Sequence, residues 1–419
     1  MKDKKYKKRK LGFVPPEDWD FTNFGSVLEE TQYGISTPED SDGNHEMFKM
    51  NNYENGYMSP EGLATVSIDE DEFEKYRLNK GDLLFNRTNS HELVGKTGLF
   101  NLEGDYIFAS YLIRLVLNDK KMLPKYANYY LNFNTAQQKL KVLATKGVSQ
   151  SNINATNLRK HFHIAFPSTT QQKRIVDIFS SWDLAIEKIK DLISRKKVYK
   201  KGLMQQLLSG KKRFPEFEDE PWVEVKLGEV FNERKEKDCT HLDLVAITTD
   251  NGVIDRDKLD RKDTSSSNKD NYKRIAPGDI GYNTMRMWQG VSGYSELEGI
   301  VSPAYTIVTP IEDKVDGRFM SYLFKHPPII DLFRRYSQGL VSDTLNLKYD
   351  NFAQIKVTIP ESMDEQKKIR NTLLAADQEI DLLKEKLKAI KKQKKGLMQK
   401  LLTGKVRVNK ELTKSESYA

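Results

Sequence analysis

The sequence predicts an α+β fold: two tandem mixed α/β domains, each followed by a long helix, the two helices pairing as an antiparallel coiled coil with pseudo-twofold symmetry. Three observations predict it: an in-register internal repeat, two charged runs carrying heptad stripes, and two regions of short β-rich runs set among Gly- and Asn-containing turns. The expected division is a basic disordered tail at 1–10, a first domain at 11–166, a helix segment at 167–213, a second domain at 214–359, a second helix segment at 360–406 and a C-terminal tail at 407–419.

The repeat is the strongest signal. Lys200-Lys201-Gly202-Leu203-Met204-Gln205-Gln206-Leu207-Leu208-Ser209-Gly210-Lys211 returns 194 residues later as Lys394-Lys395-Gly396-Leu397-Met398-Gln399-Lys400-Leu401-Leu402-Thr403-Gly404-Lys405. The same shift carries Gln172-Lys173-Arg174-Ile175 onto Gln366-Lys367-Lys368-Ile369. Looser islands precede each helix: Trp19, Phe24, Gly25 and Val27 answer to Trp222, Leu227, Gly228 and Val230, and Gly81-Asp82-Leu83-Leu84-Phe85-Asn86 to Gly278-Asp279-Ile280-Gly281-Tyr282-Asn283. Between the islands the halves differ almost completely. Nearly identical helices joined to diverged domains suit a protein that reads two different targets at a fixed separation.

Capping boxes at Ser168-Thr169-Thr170-Gln171 and Ser362-Met363-Asp364-Glu365 are expected to start the helices, and Gly210 and Gly404 to end them. Ile369, Leu373, Ala376, Ile380, Leu383, Leu387 and Ile390 advance in alternating steps of four and three, the a/d stripe of a coiled coil. Ile175, Phe179, Trp182, Ile186, Ile189 and Ile193 keep the same register in the first run. Such a stripe on a charged helix buries only against a similar stripe, and the chain supplies one partner for each. Lys200 and Lys394 then interrupt the stripes, with Gly202 and Gly396 behind them, so a kink is expected there. About forty residues at about 1.5 Å each would make a rod of about 60 Å with the domains at its ends. An oligomerisation coiled coil is the competing reading.

In the domains, residues 82–87, 106–116 and 303–309 read as strands, while 124–146 and 317–336 contain helical pieces. The repeated Gly-Asp is expected to be a turn in which Gly supplies positive φ and Asp caps the following amides. Ser90-His91-Glu92-Leu93-Val94-Gly95-Lys96-Thr97 falls within one residue of a phosphate-binding loop but lacks its first glycine. Its counterpart, Arg286-Met287-Trp288-Gln289-Gly290-Val291-Ser292-Gly293, keeps the glycines without Lys-Thr, so these glycines are framework. His161 and His163, two apart on an expected strand, have no further ligands in view, so no metal is expected.

The chain has 419 residues, a formal charge of +8 and one cysteine, Cys239. A lone cysteine excludes an intrachain disulfide and a cysteine-built zinc site, which fits a reducing cytoplasm. No apolar run is long enough for a bilayer span. Most of the excess charge sits in the first ten residues, where seven Lys/Arg face Asp3 alone, so global charge argues weakly for a nucleic-acid partner.

The polar loops after the Gly-Asp strands are the candidates for reading base edges, since Asn, Arg, Ser and Gln pair with them in defined geometries. In the first half these are Asn86, Arg87, Asn89, Ser90 and His91, with Lys96 for a phosphate; in the second, Asn283, Arg286, Trp288 and Gln289. A second set follows the helical pieces: Ser149 and Gln150, then Gln338 and Ser342. Ordinary solvated loops are the competing reading for each residue. No catalytic motif is found.

Taken together, the Lys-Lys-Gly-Leu-Met-Gln-Gln-Leu-Leu-Ser-Gly run closing the first helix and Arg213-Phe214-Pro215-Glu216-Phe217 opening the second domain near Trp222 resemble the DNA-specificity subunit of Type I restriction-modification systems, over essentially the whole chain. The resemblance implies two target-recognition domains, each reading one half of a split, asymmetric double-stranded DNA sequence, with the helices setting the spacer. It implies two modification subunits that bind S-adenosylmethionine and methylate adenine at N6, and restriction subunits that use ATP and Mg for translocation and cleavage. This chain would itself bind no cofactor or metal and catalyse nothing. The alternative is a coiled-coil adaptor with two protein- or glycan-binding domains.

Overall fold

Each globular region folds around the same antiparallel framework. The computed structural model describes residues 2–147, 150–249, 252–258, 268–341 and 344–408. Contacts group the chain into two units, Met1–Ile189 with Lys386–Ala419, and Lys190–Glu385. The long helices, Thr169–Leu207 and Met363–Leu401, are therefore not separate bodies; each gives residues to both units.

In the first unit the strands Leu28–Tyr33, Leu112–Leu117, Leu83–Asn86 and Thr97–Leu99 lie side by side, extended by the short strands Tyr57–Met58 and Tyr53–Glu54. In the second, Phe231–Arg234, Tyr305–Pro310, Ile280–Asn283 and Ser292–Tyr294 form the same order. A two-stranded pair closes each unit: Asp20–Asn23 with His163–Phe166, and Trp222–Lys226 with Lys356–Pro360. The first strand of each unit thus pairs with the strand that leads into the long helix. Two helices pack on each framework, Pro124–Asn132 and Asn134–Leu143 in the first unit, Gly317–Leu323 and Pro327–Tyr336 in the second. The units differ in a smaller layer beside the framework. In the first unit it is His45–Phe48, Ala64–Val66 and Tyr106–Phe108; in the second, Val245–Thr248 pairs with Gly252–Asp255 and Lys273–Ile275 with Gly299–Val301.

The Gly-Asp turns have the expected backbone, with Gly81 at φ +99° and Gly278 at +96°. Their carboxylates act backwards, however: Asp82 accepts from the Asn79 amide at 2.8 Å and Asp279 from the Ala276 amide at 2.7 Å. Both aspartates are buried, Asp82 beside Arg114 and Asp279 clasped by Arg234 and Thr309. Burial pushes the Asp82 carboxyl above its ordinary pKa, with the Asn79 amide and the Arg114 charge opposing that rise.

The helices run antiparallel within each unit. In the second unit Lys196 meets Glu379 at 2.7 Å and Lys200 meets Asp377 at 2.5 Å, so one helix ascends as the other descends. In the first, Asp183 binds Lys394, and Ile175 and Phe179 share a core with Leu401 and Leu402. Of the stripe residues, Ile175, Phe179, Ile193, Ile369, Leu373 and Ile380 are buried; Trp182, Ile186, Ile189, Ala376, Leu383, Leu387 and Ile390 are half-buried. Ile175 and Phe179 belong to the first domain's core, and Ile369 and Leu373 to the second's, so these four hold helix to domain as well as lying on the stripe.

The interruptions at Lys200 and Lys394 are where the two repeats match most closely. Asp377 accepts from Lys200 on Oδ1 and from the Tyr322 hydroxyl on Oδ2 at 2.8 Å, while the ammonium lies 5.3 Å from the Tyr322 ring centre. Asp183 accepts from Lys394 on Oδ1 and from Tyr129 on Oδ2 at 2.6 Å, with the ammonium 5.2 Å from the Tyr129 ring centre. Each lysine thus joins one long helix to the other and to the domain's own tyrosine. Burial first, and then the neighbouring aspartate, holds both phenols well above their ordinary pKa, so they stay protonated and donate.

Several expectations are corrected. Both helices continue unbroken past Gly202 and Gly396, where no side chain crowds the glycine. The turn continues because Leu203, Met204, Leu207 and Leu208 pack on the second core, as Leu397, Met398, Leu401 and Leu402 do on the first. The helices end at Gly210 and Gly404, φ +67° and +69°, with Lys212 and Val406 donating back to Gln206 and Lys400. Glu365 does not serve a capping box, because its carboxylate takes Arg213 at 2.6 and 2.9 Å and the Trp222 indole at 3.4 Å. The basic segment expected to be disordered is the helix Lys2–Leu11: Leu11 is buried, Tyr6 packs edge-on against Phe21, and Lys139 donates to the Arg9 carbonyl. The expected C-terminal tail begins inside the fold, with Arg407 clasping Asp18 at 2.7 Å through one pair of atoms and Val408 against the first core; residues 409–419 lie outside those described.

Replacing Asp183 or Asp377 by Asn should lower stability by about 1–3 kcal/mol, because a half-buried lysine and a tyrosine lose their shared acceptor. Lys384→Ala, which removes an exposed pair with Asp381, should change it by no more than about 0.5 kcal/mol. Urea unfolding of the three variants checks the contrast.

Candidate nucleic-acid interface

In the first unit the two loop sets picked out from the sequence come together. Thr145–Lys146, Ser151–Asn152 and Thr88–Asn89 form a three-stranded ribbon, with Ser151 opposite both Lys146 and Asn89. Ile153, fully buried, pins the ribbon to the domain, and its amide donates to the Arg87 carbonyl. Asn152 bridges across, donating to the Thr88 hydroxyl at 2.8 Å.

This arrangement separates framework residues from available ones. Asn86 is buried and its Nδ2 donates to the Met50 carbonyl; all four residues of its strand are covered, so it presents nothing to a ligand. Arg87 lies over the Tyr33 ring at 4.7 Å and donates to the Ser110 carbonyl and to Asn152, so it holds the ribbon. Asn89 is half-exposed, with Oδ1 taken by the Ser90 amide. Ser90, His91 and Gln150 are exposed, and His91 Nδ1 stands 3.4 Å from the Ser151 hydroxyl. Ser149 lies outside the described residues. Lys96 is half-buried, and the strand Thr97–Leu99 follows it, so no helix N-terminus backs a phosphate loop there.

The second unit joins its loops differently. Gln338 and Asn346 exchange backbone hydrogen bonds of 2.9 and 2.8 Å, and Leu347 donates to Thr284, just after the strand Ile280–Asn283. Asn283 is half-buried and its Oδ1 accepts the Met285 amide. A short 3-10 turn, Met287–Gln289, is anchored by buried Met287, and half-buried Trp288 donates its indole N–H to the Met285 carbonyl. Arg286 and Gln289 remain exposed, their side chains 3.4 Å apart, and Gln338, on the loop bridged to Asn346, is exposed too; Ser342 lies outside the described residues.

Two features escaped the sequence reading. Leu340 is fully exposed, Val341 is more than half exposed and Met285 and Tyr336 are partly so, which places apolar side chains among the polar ones around this loop. Gly339-Leu340-Val341, an apolar pair inside a polar loop, was the available signal. A cleft of about 680 Å³ also opens beside Asn283, lined by Leu244, Arg256, Asn268, Asn271 and Tyr305. Its residues come from segments far apart in sequence.

His161 ends the helix Ala155–His161 rather than lying on a strand with His163, and His163 stacks on Phe21 at 5.6 Å. Among the described residues no group of three His, Cys, Asp or Glu is placed to hold a metal ion. No described helix is long and apolar enough to cross a membrane. What the surfaces offer is hydrogen-bonding groups on rigid supports, suited to base edges, with apolar side chains suited to contact a base face.

Comparison with known proteins agrees with this architecture. The family profile described as Type I restriction modification DNA specificity domain matches twice, at residues 16–195 and 219–392. The chain belongs to this family. A Methanocaldococcus jannaschii protein named as the type I restriction enzyme MjaX specificity subunit is 26% identical, over 97% of this chain and 98% of that protein. The MjaVIII specificity subunit of the same organism is 25% identical over 95% of each. The crystal structure of a Type-I restriction-modification S subunit from M. genitalium shares the fold, with a TM-score of 0.54, 18% identity and coverage of 91% of this chain and 96% of that one. The family's two matched segments each span a domain and the first part of the helix that follows it.

Arg286→Ala should leave the melting temperature within the effect of about 0.5 kcal/mol, whereas Arg87→Ala should destabilise the first unit by about 1–3 kcal/mol. Thermal unfolding of the two variants side by side tests the assignment of Arg87 to framework and Arg286 to the available surface.

Proposed function

We propose that this chain reads double-stranded DNA as the specificity subunit of a Type I restriction-modification complex, each unit reading one half of a split, asymmetric sequence. The observation that carries the reading is that one four-stranded framework occurs twice and presents different exposed side chains: Ser90, His91 and Gln150 in one unit, Arg286, Gln289 and Gln338 in the other. The length of the two helices that serve both units would set the unread spacer.

The chain is non-catalytic. Two modification subunits would carry S-adenosylmethionine and methylate adenine N6, and restriction subunits would use ATP and Mg; this chain would bind none of these and would work in the cytoplasm with its partners. Its own contribution is positional. Phosphate contacts fix its register on the duplex, and the exposed polar groups discriminate bases.

The test is DNA binding by the purified complex of this chain with its modification subunits across a salt series. Affinity should fall steeply with salt on any duplex and be retained best on one split sequence. Arg286→Ala should relax reading of one half-site only, at about 1–3 kcal/mol. Salt-independent or undetectable DNA binding would instead support a protein- or glycan-binding adaptor.

A further inference from the structure

Three lysines converge at the foot of the ribbon in the first unit, two from the domain and one from the second long helix. Lys96 follows Gly95, whose carbonyl accepts from Gln137 at 2.8 Å and where an added Cβ would come within 3.2 Å of Leu140, so Lys96 sits beside the helix Asn134–Leu143 that carries Lys141. At the start of that helix Thr135 and Gln399 are hydrogen-bonded at 3.1 Å, which brings in the end of the second long helix and, one turn earlier, exposed Lys395. Lys394, next to it, is already committed to Asp183 and Tyr129. Among the described residues no carboxylate forms an ion pair with Lys96, Lys141 or Lys395.

The cluster is electrostatically unsatisfied. Burial first, and then the charges of Lys141 and Lys395, holds the Lys96 ammonium below its ordinary pKa. Three like charges brought together without a counter-charge are relieved by an anion. Its place identifies the anion, because Lys141 lies one turn before Thr145–Lys146, the ribbon's first strand, and the Lys96 carbonyl accepts from the Asn86 amide at the base of the neighbouring loop. A backbone flanking bases read by the ribbon would pass here, on the side where the long helix lies.

We propose that Lys96, Lys141 and Lys395 together hold one phosphate of the DNA backbone beside the first half-site. The proposal rests on the DNA-reading function above and deepens it: one helix residue joins two domain residues in the contact, so phosphate engagement also ties the long helix to the domain. The arrangement is specific to the first unit, since the residue answering to Lys96 in the second is Val291. No base is read there, and the site supplies affinity and register without sequence preference.

The test uses the complex with its modification subunits carrying Lys96→Gln, Lys395→Gln or all three Gln replacements, measured on target and unrelated duplexes over a range of KCl. The triple variant should weaken both duplexes by the same factor and reduce the salt slope by about one phosphate's worth, roughly 0.9. Scanning single neutral methylphosphonate linkages along the target should find one position that weakens the wild-type complex and leaves the triple variant unaffected. An unchanged slope, or loss confined to the target duplex, would overturn the proposal while leaving the DNA-reading function in place. A wild-type complex that binds no DNA would instead remove the functional reading itself. Lower melting temperatures of the DNA-free Gln variants would also overturn it, because a site strained by repulsion should be no less stable when neutralised.

Discussion

A lysine on the apolar seam of a helix pair must find a carboxylate, and here that requirement organises both halves of the molecule. Lys200 and Lys394 sit at equivalent seam positions, and each reaches an aspartate on the other helix that also accepts a hydrogen bond from a tyrosine of the adjoining domain. Three elements meet at one carboxylate: two helices and a globular framework. An apolar residue there would pack equally well in several registers, whereas a half-buried charge with one well-placed partner is satisfied in only one. Buried Gln172 and Gln366 reinforce the seating at the helix starts, Gln172 accepting from the Leu123 amide and Gln366 from the Asp316 amide, both at 2.9 Å.

Domain surfaces are free to diverge because seating is handled elsewhere. The repeated seat uses Tyr129 and Tyr322, the helix starts and the helix ends, none of which lies on the exposed loops. Two units can therefore share a four-stranded framework while carrying a ribbon in one and a Gln338–Asn346 bridge with a 3-10 turn in the other. The repeats are not identical even at the seats. Glu365 binds Arg213 and Trp222, while the position answering to it holds Gln171, and Arg407 turns to Asp18 instead.

The sequence revealed the helices and the framework because their signals are local or repeated. A stripe at steps of four and three, a Gly-Asp turn and a C-terminal glycine each act within a few residues. It misjudged Lys200 and Lys394 as kink sites because their partners, Asp377 and Asp183, lie more than a hundred residues away and look like ordinary surface charges. The N-terminal helix was hidden for the same reason, since Phe21 and His163 pack on its Tyr6 and Lys139 donates to its Arg9 carbonyl. Loop candidates were legible as loops but not individually: residue type alone does not distinguish Arg87, laid over Tyr33, from Arg286, which is exposed. Leu340 was passed over because an apolar residue in a loop contradicts the pattern by which such surfaces are sought.

The most direct measurement of the central claim is to express the chain with its methyltransferase partner in a host lacking adenine methylation and map N6-methyladenine across the genome by single-molecule sequencing. Two diverged reading units on one duplicated scaffold predict methylation at a single bipartite motif, with two unlike half-sites and a constant spacer. Methylation at a continuous or palindromic motif, or none from a complex shown to be assembled, would contradict the account.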